Sequence, residues 1–420
     1  MAIKSVKQRF SPSEQILSVM EQFRLMTNDC IRIGLRLQEE NNGNTPSMRK
    51  LSLVAYRELQ SRYPTLYSRY SLCAISKAAG ILSARRKSLQ RGIPTREPYL
   101  SKQVLTSCYG FKVERSNLVI HIGSRTTHSI PLNAHTLSVL SDPLGPRVRS
   151  FTITTHLLSL CIRKEVKETE PEKIRGVIGI DRNESNITAG SNDIIVYFGM
   201  AKSIKIAENT RSIVRSFKRN DHRIRKILAS KYGERRSARV RQLIHHVSNA
   251  IVAEARATNY AIAFENITGI KRLYMRGNGK SRSLRARMNS WPYGELKRQV
   301  EYKASWAGVP LITLTRQETK GTTMDCPRCG ERLQVPVRAD KGHYRQLWCE
   351  VCQRWWERDT VAVLNISRRR WLRFDHSQGG AGEAVRGNPR GGGSSQEPVI
   401  LRVDASKLGQ EPHLWLAKRP

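Results

Sequence analysis

Apolar residues recur at helical spacing near the start of the chain. Ile16, Val19, Met20, Phe23 and Met26 form one stripe. It follows Ser11-Pro12-Ser13-Glu14, a cap residue with an early proline, so a helix is expected there, broken by Asn41-Asn42-Gly43-Asn44. Before it, Ile3, Val6 and Phe10 mark Met1 to Phe10 as a strand. Further helical regions are expected from Met48, and from Leu72 through Ser88 with Arg85, Arg86, Lys87 and Arg91 closing the second. From Gly92 to Val166 the pattern turns to alternation. Phe111 to Glu114, Leu118 to Ile122 and Ser150 to Leu157 suit strands of a β-rich module, compatible with a barrel. The charged, proline-bearing stretch from Glu165 to Lys173 places a boundary.

Beyond the boundary the apolar runs end in carboxylates. Val177 to Ile180 leads into Asp181, and Ile194 to Phe198 and Ser203 to Ile206 read as the next two strands. Three successive strands with an acid on the first are the opening of an RNase H-type sheet. A basic helical region starts near Phe217, and Val240, Leu243, Ile244, Val247 and Ile251 give it a stripe to pack on that sheet. Tyr260 to Phe264 is another strand, ending in Glu265. Lys271 to Met288 reads as a basic, Gly-rich loop or lid, followed by a helix (Trp291 to Ala307) and a strand (Val309 to Leu314). Val361, Leu364 and Ile366 predict that Asp359 opens a helix. Gly379 to Gly393 has the composition of disorder, and Val399 to Val403 reads as a late strand or docking segment.

The 420 residues carry 73 Lys and Arg against 35 Asp and Glu, a formal charge of +38. Such an excess repels itself unless a polyanion neutralises it, so nucleic acid is the expected partner, bound in a strongly salt-dependent way. A membrane is the weaker rival, because no apolar run approaches the ~20 residues of a spanning helix. With 39% hydrophobic residues, the chain is too rich in core-forming side chains for a short histone-like or ribosomal protein.

Two Cys-x-x-Cys knuckles, Cys326/Cys329 and Cys349/Cys352, stand nineteen residues apart. That spacing fits a four-cysteine zinc ribbon, each thiolate about 2.3 Å from one tetrahedral ion. Gly330 frees the first turn. The competing reading is four buried or disulfide-linked thiols. Cys30, Cys73, Cys108 and Cys161 are scattered among apolar residues and read as packing, in a reducing cytoplasm. Asp359 stands seven positions past the last knuckle. Taken singly, Asp181 could form a turn, Glu265 could be a surface residue and Asp359 a helix cap. Together, on one RNase H-like sheet, they suit two Mg²⁺ ions about 4 Å apart, one activating water and one stabilising the leaving oxygen.

In this order, Gly179-Ile180-Asp181, Phe264-Glu265-Asn266-Ile267, the cysteine ribbon, and Arg358-Asp359 with Asn365-Ile366 resemble the TnpB family of transposon-encoded RNA-guided nucleases, relatives of type V CRISPR effectors. The resemblance covers most of residues 174–370. It implies a β-barrel wedge (1–10 and 91–173) with an inserted helical recognition region (11–90). It further implies a RuvC nuclease domain (174–320 and 355–374) interrupted by the ribbon (321–354), and a disordered tail (375–420). It also implies a guide RNA, target double-stranded DNA, one structural Zn²⁺, catalytic Mg²⁺ on Asp181, Glu265 and Asp359, no membrane, a monomer, and a prokaryotic (archaeal) cytoplasm near the nucleoid. Three positions depart from the family pattern: Glu357 and Val361 stand where Asp and Asn are common, and Asn183 where Gly is. The alternatives are a nuclease-weak RNA-guided DNA-binding protein, a strand-transferring transposase and a non-catalytic zinc-ribbon RNA binder. Lys218, Arg219, Arg235 and Arg236 suit backbone contacts or a solvated helix face equally.

Overall fold

The structure, a computed structural model, describes residues 1–217, 221–267, 269–335, 345–371 and 398–408. Two compact units divide it, Met1–Glu165 and the chain from Val166 onward. Among the described residues no helix is long and apolar enough to cross a membrane.

The first unit contains β1 (Ala2–Arg9), α1 (Glu14–Glu40), α2 (Met48–Arg62), α3 (Tyr70–Gln90), β2 (Val104–Ser107), β3 (Phe111–Glu114), β4 (Asn117–His121), β5 (Thr127–Pro131), α4 (Ala134–Leu140), β6 (Arg147–Thr154) and β7 (Leu157–Lys164). The stripe on α1 is buried as its spacing demands, with Ile16, Met20 and Phe23 fully enclosed. α1 is tied to the end of α2 through buried Asp29, which accepts from Arg62 and the Tyr63 hydroxyl, each at 2.8 Å. The strands form two open sheets, β1-β7-β6-β2 and β3-β4-β5. No closed barrel is present among the described residues, contrary to the expected wedge barrel. The cause is local: β3, β4 and β5 are joined by short turns and pair with each other, leaving β1 and β2 as edges.

The second unit contains β8 (Gly176–Arg182), β9 (Asn186–Gly190), β10 (Ile194–Gly199), α5 (Ala201–Ser216), α6 (His222–Thr258), β11 (Tyr260–Phe264), α7 (Arg282–Ser290), α8 (Tyr293–Ala307), β12 (Leu311–Thr313), α9 (Arg316–Thr319), β13 (Gln346–Cys349), β14 (Arg354–Glu357), α10 (Arg358–Trp371) and β15 (Val399–Asp404). Its mixed sheet runs β12-β11-β8-β9-β10-β15. Alternation sorts the side chains between the two faces. Ile178, Ile180, Ile262, Phe264, Val196 and Phe198 meet α6 and α8. Val177, Ala261 and Ala263 turn the other way, toward Ile366 of α10. Helices on both faces leave β9 wholly buried despite its unpromising Asn-Ile-Thr-Ala-Gly sequence.

Three expectations are corrected here. Ser203 to Ile206 is helical, part of α5, and the strand the series lacked is β9, second in order, which returns to β10 through a tight Ser191–Asp193 turn. Lys271 to Met288 is not all loop, since α7 starts at Arg282 under a Ser281 cap. The disordered tail drawn over 375–420 is corrected at 399–408: Val399 to Val403 is the strand its sequence suggested, pairing in parallel with β10 with Ala405 and Leu408 buried behind it. Its alternate residues offered the pairing, and β10 offered an open edge. Gly379 to Gly393, Lys218 and Arg219 lie outside the described residues.

α10 approaches β8 more closely than a side chain allows. A Cβ on Gly179 would stand 2.3 Å from the Val363 carbonyl and 2.9 Å from the Ser367 amide, both backbone atoms. The Ser367 hydroxyl donates to the Val177 carbonyl at 2.6 Å, pinning the same contact. Gly179→Ala is therefore expected to lower stability by about 1–3 kcal/mol, the usual range for overpacking, because backbone must move. Thermal unfolding would show this as a fall of roughly 2–4 °C per kcal/mol.

Candidate active site

Strand parity and register build the acidic cluster. β8 and β11 are parallel neighbours with Ile180 opposite Phe264, so the next residues, Asp181 and Glu265, emerge side by side. Ile180 and Phe264 point to α6 and α8, so alternation turns both acids to the α10 face. There Gly179 lets α10 lie against β8, and Asp359 is in its first turn. Asp181 and Asp359 are buried, at 7% and 4% exposure. The structure thus brings together three acids separated by up to 178 positions (359 − 181) in the sequence.

Two of the acids have polar side-chain partners. Asn183 donates to Asp181 Oδ2 at 2.7 Å. Asn186 donates to Asp359 Oδ2 at 2.9 Å, and the Arg345 guanidinium reaches the same oxygen at 3.0 Å. Behind the cluster, buried Arg182 donates to the backbone carbonyls of Glu265 and Tyr293, each at 3.1 Å, and lies over the Phe264 ring. These groups do not supply enough positive charge. Burial first, then the charges of Glu265 and Asp359, push the Asp181 carboxyl up to about 7. Burial also raises Glu265, against the pull of Arg182 and a hydrogen bond with Asp181. A buried carboxylate cluster short of counter-charge keeps protons, and hard divalent cations with oxygen preference fit such a donor set.

The four cysteines converge separately. Their sulfurs all lie within 4.8 Å of one another, the one such group of metal-ligating side chains among the described residues. Cys329 and Cys349 sulfurs are 3.4 Å apart and those of Cys326 and Cys352 are 3.9 Å apart, well beyond the ~2.05 Å of a disulfide. Gly330 takes the left-handed turn (φ 81°) expected of it, and its amide donates to the Cys326 carbonyl at 2.9 Å. Amides of Arg328 and Cys352 donate to the Cys326 and Cys349 sulfurs at 3.4 Å, aiming positive dipoles at the thiols. Burial, with neighbouring thiols adding to it, raises Cys326 and Cys352. The four convergent thiols fit one Zn²⁺, which would relieve that cost at Cys326 and Cys352. The β13–β14 hairpin ends at Glu357, so the ribbon hands the chain directly to Asp359.

Three polar residues at the cluster escaped the sequence reading. Asn183 was noted only as a departure from a glycine, yet its amide holds Asp181. Asn186 sits in a strand that carried no apolar signal. Arg345 is one of 73 basic residues and had no local mark. The other departures also have partners: Val361 is buried beside Ile195 and Tyr197, and Glu357 pairs with Arg402 at 3.0 Å.

Comparison with known proteins follows the same outline. Residues 293–366 match the family model of the Cas12f1-like TNB domain. TnpB-like protein MJ0751 of Methanocaldococcus jannaschii is 29% identical over 212 residues, 48% of this chain and 72% of that protein. Cas12f1, solved with sgRNA and target DNA, superposes with a TM-score of 0.55 at 15% identity, covering 84% of this chain and 83% of its own, a likeness of fold. These matches make the chain similar to TnpB-like and Cas12f1-like proteins.

Proposed function

We propose that this protein is an RNA-guided DNA endonuclease encoded by a transposable element, which cleaves target DNA by metal-assisted phosphodiester hydrolysis. The observation that carries the reading is the convergence of Asp181, Glu265 and Asp359 on one face of the sheet, short of positive charge. Asp181, Glu265 and Asp359 would hold Mg²⁺, which supplies a water of lowered pKa and neutralises charge on the phosphoryl oxygens. The protein's own groups do the positioning. Asn183 and Asn186 orient two carboxylates by donating to one oxygen of each. Arg345, resting on Asp359 at 3.0 Å, is placed to meet the negative charge of a scissile phosphate. Cys326, Cys329, Cys349 and Cys352 would hold one structural Zn²⁺.

A guide RNA and a target DNA are the partners this reading requires, and the solved Cas12f1 complex with sgRNA and target DNA supports them. The charge of +38 suits a duplex held by its backbone, with sequence read by base pairing. The first unit, with its helices from 11–90 and strands within 1–10 and 91–173, would grip that duplex. The nuclease face occupies 174–320 and 355–374, and the ribbon 321–354. A nuclease-dead relative would be expected to have lost a member of the acidic set, and all three are present.

Purification with the flanking element DNA co-expressed should yield a discrete bound RNA ending in variable sequence. That RNA should direct Mg²⁺-dependent cleavage of matching DNA; random fragments alone would refute the reading.

Asp181→Asn should abolish cleavage while leaving RNA binding intact. It should also stabilise the metal-free fold at pH 8, by on the order of 1 kcal/mol, or about 2–4 °C in Tm. The sign follows from the raised carboxyl: in the fold it keeps its proton up to about 7, against an ordinary 3.8. Its stabilisation is thus complete below about pH 4 and lost as pH rises through 7. Asparagine stays neutral throughout, so the gain should be clearly smaller at pH 5 and vanish only below about pH 4. Thermal melts at both pH values, without metal, decide this.

Chelation should release about one zinc per chain and unfold the ribbon, since structural Zn²⁺ supplies on the order of 10 kcal/mol in small zinc modules. Trp348 and Trp355, with ring centroids 5.1 Å apart on the hairpin, would report it by fluorescence.

A further inference from the structure

The sheet of the second unit ends on a strand from far down the chain. β15 lies in parallel register with β10, from Ile194 opposite Val399 to Gly199 opposite Asp404. Backbone bonds at Val399 and Ala405 extend the pairing, and Ala405 and Leu408 are buried in the core behind it. Arg402, in the middle of the strand, is not a docking residue in this sense, since its side chain is 66% exposed. Its guanidinium pairs with Glu357 Oε2 at 3.0 Å and lies 4.5 Å from the centre of the Tyr197 ring.

Those two partners straddle Asp359. Glu357 precedes it by two residues at the end of β14. The Tyr197 hydroxyl is 2.6 Å from the hydroxyl of Thr360, the residue directly after it. One guanidinium therefore steadies both sides of the short backbone segment that bears the third carboxylate. Asn186 and Arg345 hold the carboxylate itself from elsewhere. Arg345 and Arg402 look into one open cavity of about 450 Å³.

We propose that Arg402 is a positioning residue for the carboxylate centre. β15 docks on β10 and, through Glu357 and Tyr197, fixes the first turn of α10 so that Asp359 meets Asp181 and Glu265. The first turn of a helix lacks part of its own hydrogen bonding and frays most easily, and small misplacements of a reacting group are costly. The inference rests on the reading of this centre as a phosphodiester-cleaving site. Its rival is that Arg402 contacts the nucleic-acid strand directly in the shared cavity.

The test compares full-length wild type with Arg402→Ala, Arg402→Lys, Glu357→Gln and the Ala/Gln double variant. It has two readouts: cleavage rate at saturating target, and hydrogen exchange over residues 358–362 in the protein alone. One partly exposed ion pair sets the scale, so Arg402→Ala should slow cleavage by about fivefold, with the half-saturating DNA concentration unchanged. Lysine should restore most of the rate. Glu357→Gln should add little on top of Arg402→Ala, because both break the same link. Exchange over 358–362 should be faster in Arg402→Ala at an unchanged melting temperature. A wild-type rate in Arg402→Ala, additive effects, or weaker DNA binding with unchanged exchange would overturn the proposal. A wild type that fails to cleave would refute the functional reading instead, and the exchange data would then decide the positioning role alone.

Discussion

The close approach of α10 to β8 at Gly179 is the constraint on which the rest of the second unit depends. A helix lies on a sheet at a distance set by side chains; here one side is missing, and backbone meets backbone. That proximity puts the first turn of α10 at the mouth of β8 and not a layer above it. The same contact lets a residue that follows the ribbon meet a residue from the first strand of the unit. Parity does the remaining work. Because Ile180 and Phe264 must face the α6–α8 core, Asp181 and Glu265 have no choice of side.

Packing that forces acids together is expensive, and the cost is visible in the electrostatics. Asp181 holds its proton far beyond the normal carboxylate range, and Glu265 is shifted the same way. The ribbon repeats the theme with sulfur, where Cys326 and Cys352 resist ionisation. Two donor sets of different hardness thus sit within one unit, each under-neutralised and each suited to a different cation.

The seven ligand candidates were legible in the sequence because each has a local mark. Cysteines announce themselves by spacing, and Asp181 and Glu265 by ending apolar runs. Asp359 is marked by the helical pattern that follows it. The groups that hold them were not legible, since Asn186 and Arg345 meet Asp359 only in space. Secondary structure failed where a short apolar run had two outlets: Ser203 to Ile206 alternates like a strand yet packs as one turn of α5 beside α6. The barrel failed because β3, β4 and β5 find partners in each other. Composition also misled at the far end. The disordered tail drawn over residues 375–420 took in Val399 to Val403, although that run also reads as a late strand, and β10 had an edge to receive it.

The strand order has a consequence for how the protein is made. β10 ends at Gly199 and its edge partner begins at Val399, 200 positions later (399 − 199). At ordinary rates of synthesis the ribosome takes about 10–40 s to add that length. Throughout that time Ile195, Val196 and Tyr197 belong to a strand with one unpaired side, the kind of edge that recruits strands from other chains. Contacts of such long range also close slowly once the chain is available. The newborn protein therefore passes through a stage in which five strands of the sheet can form and the sixth cannot. Translation speed over the intervening residues, and chaperones that cover strand edges, bear directly on how much of it reaches the finished sheet.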